Sequence, residues 1–172
     1  LYQIQQESFA GLTQVLLMSM LLIFIILVFE FRSFSHPIAI LVATVLCGFG
    51  ALLALYLTGT TLNISSFMGG IMVVGIVHKN GILMLDAEKY FTAQGFPLRE
   101  AIYHAGRRRL RPILMTAMAA IFGMLPLALG VGSGAQILQP LAIAVIGGVT
   151  VSMILSLLVT PVLFLLLRER GL

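Results

Sequence analysis

Charged residues are scarce in this sequence. Only 9% of its 172 residues are Asp, Glu, Lys or Arg, whereas 60% are hydrophobic, and a soluble domain carries about a quarter charged residues. The single cysteine, Cys47, lies in an apolar run and cannot form an internal disulfide. We interpret it as a small core residue rather than a ligand or a redox centre. These shortages exclude an ordinary soluble domain and indicate a membrane protein.

The common catalytic and nucleotide-binding motifs are also missing. The sequence contains no GxxxxGK[ST] loop, no HExxH, no paired-cysteine metal spacing and no GxSxG turn. The net charge of +4 comes from basic residues that border apolar stretches, so membrane orientation explains it better than nucleic-acid binding. We therefore expect neither an enzyme nor a metal or cofactor site. The energy for any activity of this protein must come from a gradient or from elsewhere.

Uncharged stretches divide the chain into five spans of roughly 20 residues, the length that crosses a bilayer. The polar segment 58–63, which contains Gly59, breaks an apolar run that is too long for one helix. The glycine-rich segment 130–136 breaks the last run in the same way. We predict an all-α integral membrane bundle of five transmembrane helices that forms a single membrane domain, 1–172. The predicted spans are about 8–29, 37–57, 64–85, 112–129 and 138–167.

The longest polar segment, 86–111, separates the third and fourth spans. Pro97 stands where a short helix could begin, and Leu98, Ala101, Ile102 and Ala105 would lie on one side of that helix. We predict a short surface helix here, on the cytoplasmic face of the membrane.

Loop charge predicts the orientation. Five spans place the first turn, the long polar segment and the C-terminus on one side, whereas segments 58–63 and 130–136 contain no Lys or Arg. By the positive-inside rule the basic side is cytoplasmic, so the N-terminus is predicted to be extracytoplasmic and the C-terminus cytoplasmic. The basic residues on that side are Arg32, Lys89, Arg99, Arg107, Arg108, Arg109, Arg111, Arg168 and Arg170.

The start of the chain indicates a piece of something longer. It opens on Leu1 rather than Met, and its first residues have neither a basic region nor a small-residue cleavage site, so they do not read as a signal peptide. The five spans use the whole chain. We expect any large substrate-handling domain to lie on sequence outside these residues.

Lys79 is the most informative residue because it lies well inside the third span. An ammonium group there costs at least about 2.5 kcal/mol on insertion scales. One interpretation is that Lys79 snorkels towards the cytoplasmic face. The other is that it faces a bundle interior and pairs with a carboxylate whose protonation drives a cycle. The predicted spans contain no acidic residue, so that carboxylate would belong to a missing segment or another chain.

The neighbours of Lys79 have weaker signals. Asp86 lies about two turns further along nearly the same face, too far for direct contact. His78 points about 100° away, and a packed or interfacial histidine is the simpler reading than a proton relay. Asn80 could hydrogen-bond across helices. Thr116 lies one turn into the fourth span, where its hydroxyl would by default bond back to its own helix.

Three stretches together resemble the last five membrane helices of transporters in the resistance-nodulation-division (RND) superfamily. They are GIVHKNGILMLD at 75–86, RLRPILMT at 109–116 and GSGAQ at 132–136. The Lys-Asn pair and the Arg-Pro-Ile-Leu-Met-Thr run are the most specific parts. The likeness covers the whole chain, which would be about a sixth of a full member.

The resemblance implies a bacterial inner-membrane exporter that is homotrimeric at full length. It would couple proton entry to the expulsion of drugs or other toxic compounds, together with a periplasmic adaptor and an outer-membrane channel. Lys79 would interact with paired aspartates of the first-half membrane domain, and Thr116 and Arg109 would belong to the same relay. His78, Asn80 and Asp86 are possible supporting residues. The resemblance implies no cofactor, since the proton gradient supplies the energy.

The branch of the superfamily decides the expected substrate. Lys79 favours the drug-exporting branch, whereas Asn80-Gly81 and the run 139–148 are also similar to the heavy-metal branch, and His78 departs from the small or basic residue usual there. We predict drug export ahead of metal export. A non-transporting membrane scaffold, whose lysine merely snorkels, is the alternative from another class.

Overall fold

A computed structural model describes residues 2–169, with side chains described for 6–156, 158, 159, 161, 162, 165 and 166. Within 2–169 the chain forms five helices and no strand, and all five are long and apolar enough to cross a membrane. The predicted five-helix, all-α membrane bundle is confirmed. Arg168 and Arg170 both contribute to the charge argument. The side chain of Arg168 and the whole of Arg170 lie outside the described part. The helices are α1 (Tyr2–Phe31), α2 (Ser35–Leu57), α3 (Ile64–Ala93), α4 (Leu98–Ala128) and α5 (Ala135–Glu169).

The predicted surface helix is helical but is not a separate element. Residues 98–111 form the first half of α4, which continues through Pro112 into the apolar half. A proline inside a helix removes one hydrogen bond and usually costs about 3 kcal/mol, but membrane helices tolerate it because neighbouring helices re-satisfy the backbone. The buried positions Ala101, Ala105, Ile113 and Ala117 keep one register across Pro112. One continuous stripe therefore packs against the bundle, and this favours one helix over two.

The turn that precedes α3 follows from local chemistry. Asn63 caps α3: its side chain accepts from the Ser66 N–H at 2.9 Å, and the Ser66 hydroxyl lies 2.9 Å from the Asn63 N–H. This reciprocal pair satisfies backbone donors that a helix start leaves open. Gly59, with φ +63°, makes the preceding turn in a conformation that side chains disfavour. The break predicted at 58–63 is thus a capped helix start.

Helices α2, α3 and α5 form the centre of the bundle, and each buries more than a third of its apolar stretch. Helix α5 packs against α2, α3 and α4, whereas α1 contacts α2 and α3. Small residues allow the close approach. A Cβ on Gly69 would lie 2.7 Å from the Leu141 carbonyl oxygen, and a Cβ on Gly147 would lie 2.8 Å from the Gly50 carbonyl oxygen. The central helices therefore meet backbone to backbone, as small residues permit in lipid.

Helices α1 and α4 are peripheral, and each buries only a small share of its apolar stretch. At one end of α1, Phe9 meets Phe67 edge-on with ring centroids 5.8 Å apart. At the other end, Leu27 and Phe31 enter a core cluster with Ile40 and Leu85. Between these contacts α1 leaves much of its surface uncovered, and the outer surface of α4 is similarly open.

Candidate functional site

Helix α3 places Lys79 on the outer surface of the five-helix bundle. Met72, Gly75, Lys79 and Asp86 are all exposed and recur at helical spacing, so they form one stripe, which we call the outer face of α3. Within the described part of the chain, no ion pair or hydrogen bond of Lys79 is found. The lysine is therefore in a span, at a surface, and unneutralised by the described residues.

His78 and Asn80 lie away from the outer face. Both are buried, with 3% of each residue exposed. The His78 ring places Nδ1 2.7 Å from the Val74 carbonyl oxygen of its own helix, while Nε2 is shielded and has no hydrogen-bond partner among the described residues. The structure therefore does not bring these two candidates onto the surface that carries Lys79.

Thr116 and Arg109 are both supplied by α4. The Thr116 side chain is exposed, and its hydroxyl donates back to the carbonyl oxygens of Pro112 at 3.0 Å and Ile113 at 3.1 Å. Arg109 falls on the buried stripe of α4, one turn after Ala105, and is half-buried. Its Nε is shielded and finds no acceptor within the described residues. The Arg109 side chain is therefore partly withdrawn from solvent.

The five-helix unit does not assemble a complete relay. In its described part, no hydrogen bond or ion pair joins Lys79 to Arg109 or Thr116. Asp86 lies on the outer face about two turns beyond Lys79, or roughly 10 Å away along the axis, and is exposed. The site is thus a set of polar groups on the α3 and α4 surfaces that make no ion pair with an acidic side chain of the described residues.

A second polar cluster lies on the inner side of α3. Glu88 is 2% exposed, and its Oε2 lies 3.6 Å from His36 Nε2 at the start of α2. The other carboxylate oxygen accepts from the Thr92 hydroxyl at 2.7 Å. His36 also stacks on Phe31, with ring centroids 4.7 Å apart. We call His36, Glu88, Thr92 and Phe31 the inner cluster; it ties the end of α1 and the start of α2 to α3.

The inner cluster borders a cavity of about 400 Å³ that is also lined by Ser33, Ser35 and Lys89. Lys89 reaches back to the end of α1: its ammonium lies 3.4 Å from the Glu30 carbonyl oxygen and 5.5 Å from the centre of the Phe31 ring. Ser33 helps to form the turn, since its hydroxyl accepts from the Ser35 N–H at 3.3 Å. The arrangement is an anchor built from side chains of one chain.

Sequence reasoning missed Glu88 and His36. We assigned Glu88 to a solvated polar segment, because the third span was predicted to end at 85, whereas α3 continues to Ala93. The available signal was register: Gly81, Leu85, Glu88 and Thr92 repeat at helical spacing, which puts Glu88 on the side of α3 that packs against the bundle. His36, in the polar segment between the first two predicted spans, could have suggested the partner.

Comparisons with known proteins agree with this geometry. Residues 1–168 match the model of the AcrB/AcrD/AcrF family. Two solved structures of a heavy metal efflux pump, in crystal forms II and I, are similar to the chain at 36% identity, with TM-scores of 0.87 and 0.84. Each alignment covers 98% of this chain but only 17% and 16% of the pump. The chain thus spans about a sixth of the length of the structures that it matches.

Proposed function

The chain belongs to the AcrB/AcrD/AcrF family of the RND superfamily of efflux transporters, and from this premise we propose that it is the second-half membrane domain of a proton-driven exporter. The observation that carries the proposal is the position of Lys79. The residue lies within a membrane helix, on the outer face of α3, and has no ion-pair partner among the described residues. A membrane protein retains such a charge when a partner or a function compensates its cost.

In the proposed complex, the outer face of α3 meets the first-half membrane domain, which carries paired aspartates. Transporters of this kind are built from repeated halves, with ion sites near the repeat interface. Lys79 would neutralise the aspartates while they are ionised. Protonation of an aspartate would remove that attraction and allow α3 to shift, and this movement would be transmitted to the substrate-binding domains. Arg109 and Thr116, on the neighbouring α4, would complete the relay.

The remaining assignments follow from the same proposal. The transporter would lie in the bacterial inner membrane, with the basic ends of the helices in the cytoplasm and the N-terminus in the periplasm. Its proposed partners are two further copies in a homotrimer, a periplasmic adaptor, an outer-membrane channel and the lipid bilayer, without nucleic acid. No cofactor is needed, since the proton gradient supplies the energy.

There are two candidate substrate classes for the full transporter. Drugs are the class that Lys79 favours through its likeness to the drug-exporting branch. Metal cations are the second candidate, and the observation that favours them is the 36% identity to a heavy metal efflux pump over 98% of this chain. Selectivity belongs to the extramembrane domains, so the membrane domain supports the same proton coupling for either class.

The test of the relay is Lys79→Ala in the full-length transporter, expressed in an efflux-deficient bacterium. Resistance should fall to the level of the empty vector while protein abundance in the membrane is unchanged. Lys89→Ala is the matched control, because it removes a lysine from the same helix outside the proposed relay. Lys89 is exposed, and we expect near-normal resistance. Wild-type export by the Lys79→Ala variant would rule out the relay and leave a scaffold as the better interpretation.

A reconstituted system separates proton coupling from substrate class. Proteoliposomes that contain the transporter and an internal pH dye should show substrate-dependent proton movement, and Lys79→Ala should abolish it. The substrates tested are antibiotics and dyes in one arm and copper or zinc salts in the other. The arm that moves protons identifies the class. Export without proton movement in either arm would contradict the proposed energy source.

A further inference from the structure

A cleft of about 400 Å³ lies beside the first half of α4, and its lining includes neither Lys79 nor any residue of the inner cluster. Three helices contribute to it: Met84 from α3, Pro161 from α5, and the α4 residues Tyr103, Arg107 and Leu110. Its lining is therefore mainly apolar, with one guanidinium and one phenol. Gly106 deepens the cleft, because the position has no side chain between α4 and Met84.

The register of α4 places a second arginine beside the cleft. Tyr103, Arg107 and Arg111 follow one another at one-turn intervals and are all exposed, so they share a side of the helix. Arg111 immediately precedes Pro112, where the uncharged stretch of the chain begins. Arginine and tyrosine at the boundary of an apolar stretch lie at the level of lipid headgroups. We therefore expect the cleft to open at the membrane interface.

The other two arginines of this run are already engaged in the bundle. Arg108 lies over the Tyr90 ring, 5.2 Å from its centre, and 6.0 Å from the centre of the Phe91 ring. Arg109 is turned into the buried stripe, with its Nε shielded. By contrast, within the part of the chain that the structure describes, Arg107 and Arg111 make no ion pair and no ring contact. Their charge is directed outward, beside an apolar cleft.

We propose that this cleft binds an anionic phospholipid. Its phosphate lies against Arg107 and Arg111, the polar end of its headgroup lies beside Tyr103 on the cytoplasmic side, and one acyl chain packs along Met84, Leu110 and Pro161. Charge complementarity identifies the occupant, since basic pockets between membrane helices recognise anionic headgroups and guanidinium groups match phosphate geometry. Glu100 lies about two turns before Arg107 on the same helix. Because its carboxylate repels a phosphate, we expect the phosphate nearer the Arg111 end of the site. The site is independent of the proton relay.

Native mass spectrometry of the full-length transporter tests the site directly. The probe is dioleoylphosphatidylglycerol, compared with dioleoylphosphatidylcholine, titrated into detergent-purified protein. Arg107→Gln should weaken phosphatidylglycerol binding about fivefold, the effect of losing one basic residue near an anionic lipid, and should leave phosphatidylcholine binding unchanged. Arg32→Gln is the matched control. It removes the same charge from the exposed turn between α1 and α2 and should leave both affinities unchanged.

A second variant tests the apolar half of the site without changing charge. Gly106→Leu places a side chain in the cleft, where even the Cβ would lie 3.4 Å from Met84 Cε, and it should weaken phosphatidylglycerol binding at least as much as Arg107→Gln. Equal losses in Arg107→Gln and Arg32→Gln would show general electrostatic attraction and overturn the site. Unchanged binding in Arg107→Gln, or equal affinity for the two lipids, would overturn it as well. Lipid retention is measured without transport, so failure of the relay would not affect this result.

Discussion

The two sides of α3 differ in the surroundings that they give to an ionisable side chain. On the inner side, Glu88 is buried and lies 3.6 Å from His36 of the same chain, with Thr92 donating to its second oxygen. On the outer face, Lys79 is exposed on the five-helix unit and no ion pair of Lys79 is found among the described residues. One helix therefore carries one ionisable side chain that is enclosed by polar partners of its own chain and one that makes no ion pair with the described residues.

The difference separates a structural role from a functional one. A buried contact between polar side chains of one chain joins elements, because removal of one partner leaves an unsatisfied buried group. A membrane-embedded charge without a partner in its own domain marks a surface where something else docks or moves. The inner cluster holds the α1–α2 turn on α3, whereas the outer face is where we propose that the first-half domain binds. Substitutions on the two sides should therefore affect different measurements.

The largest effect on stability is expected from Glu88→Ala. The substitution removes the carboxylate beside His36 and the acceptor for the Thr92 hydroxyl, and we expect it to lower the free energy of unfolding by about 3 kcal/mol, the upper end for a buried hydrogen bond to a charged group. Glu30→Ala is the control at the exposed end of α1; because Glu30 is exposed, its effect should stay within about 0.5 kcal/mol. Denaturant titration of the full-length protein in detergent measures both variants. Similar losses in the two would mean that the contacts of Glu88 in the inner cluster do not contribute to stability.

Helix packing provides the next test of the same contrast. A Cβ on Gly69 would lie 2.7 Å from the Leu141 carbonyl oxygen, which belongs to backbone and cannot move alone. We therefore expect Gly69→Ala to destabilise the fold by about 2 kcal/mol, as overpacking does. The adjacent Gly70 lines an open groove, and a Cβ there would meet no atom within 4 Å.

Gly70→Ala is thus the control for Gly69→Ala. It should be neutral, or stabilising by up to about 1 kcal/mol through helix propensity. The same denaturant titration compares the pair. If Gly69→Ala were tolerated as well as Gly70→Ala, the close contact between α3 and α5 would not contribute to stability.

The features that the sequence predicts are those encoded by composition and local chemistry. Uncharged runs and the polar break at 58–63 predict five helices, and the Lys79-Asn80 and Arg-Pro-Ile-Leu-Met-Thr motifs predict the family. The continuity of α4 could not be predicted in this way. A polar run followed by Pro112 resembles a helix start, and only the packing of Ala105 and Ile113 on one stripe favours a single helix.

The inner cluster depends on contacts between residues that are distant in sequence. Glu88 reads as a solvated charge until α2 is placed beside α3, because its environment is created by His36 and by the turn after α1. The position of Lys79 is similar. The sequence allowed either snorkelling or a buried pair, and the structure adds that the surrounding helices of this chain leave the outer face open. In the proposed complex its partner lies on another segment.

The smallest effect on stability, and the finest test of the outer face, is expected from Thr116→Val. The Thr116 hydroxyl donates only to carbonyl oxygens of its own helix, so its loss should change the free energy of unfolding by at most about 0.5 kcal/mol. If the hydroxyl turns to a charged relay group during the cycle, export should fall at least about tenfold, since such a hydrogen bond is worth about 1.5–3 kcal/mol. Thr150→Val is the control, because the Thr150 hydroxyl makes the same bond to Ile146 at 2.7 Å on α5. Transport assays on both variants decide the point: equal export would make Thr116 an ordinary helix residue, whereas a selective loss in Thr116→Val would place it beside Lys79 in the relay.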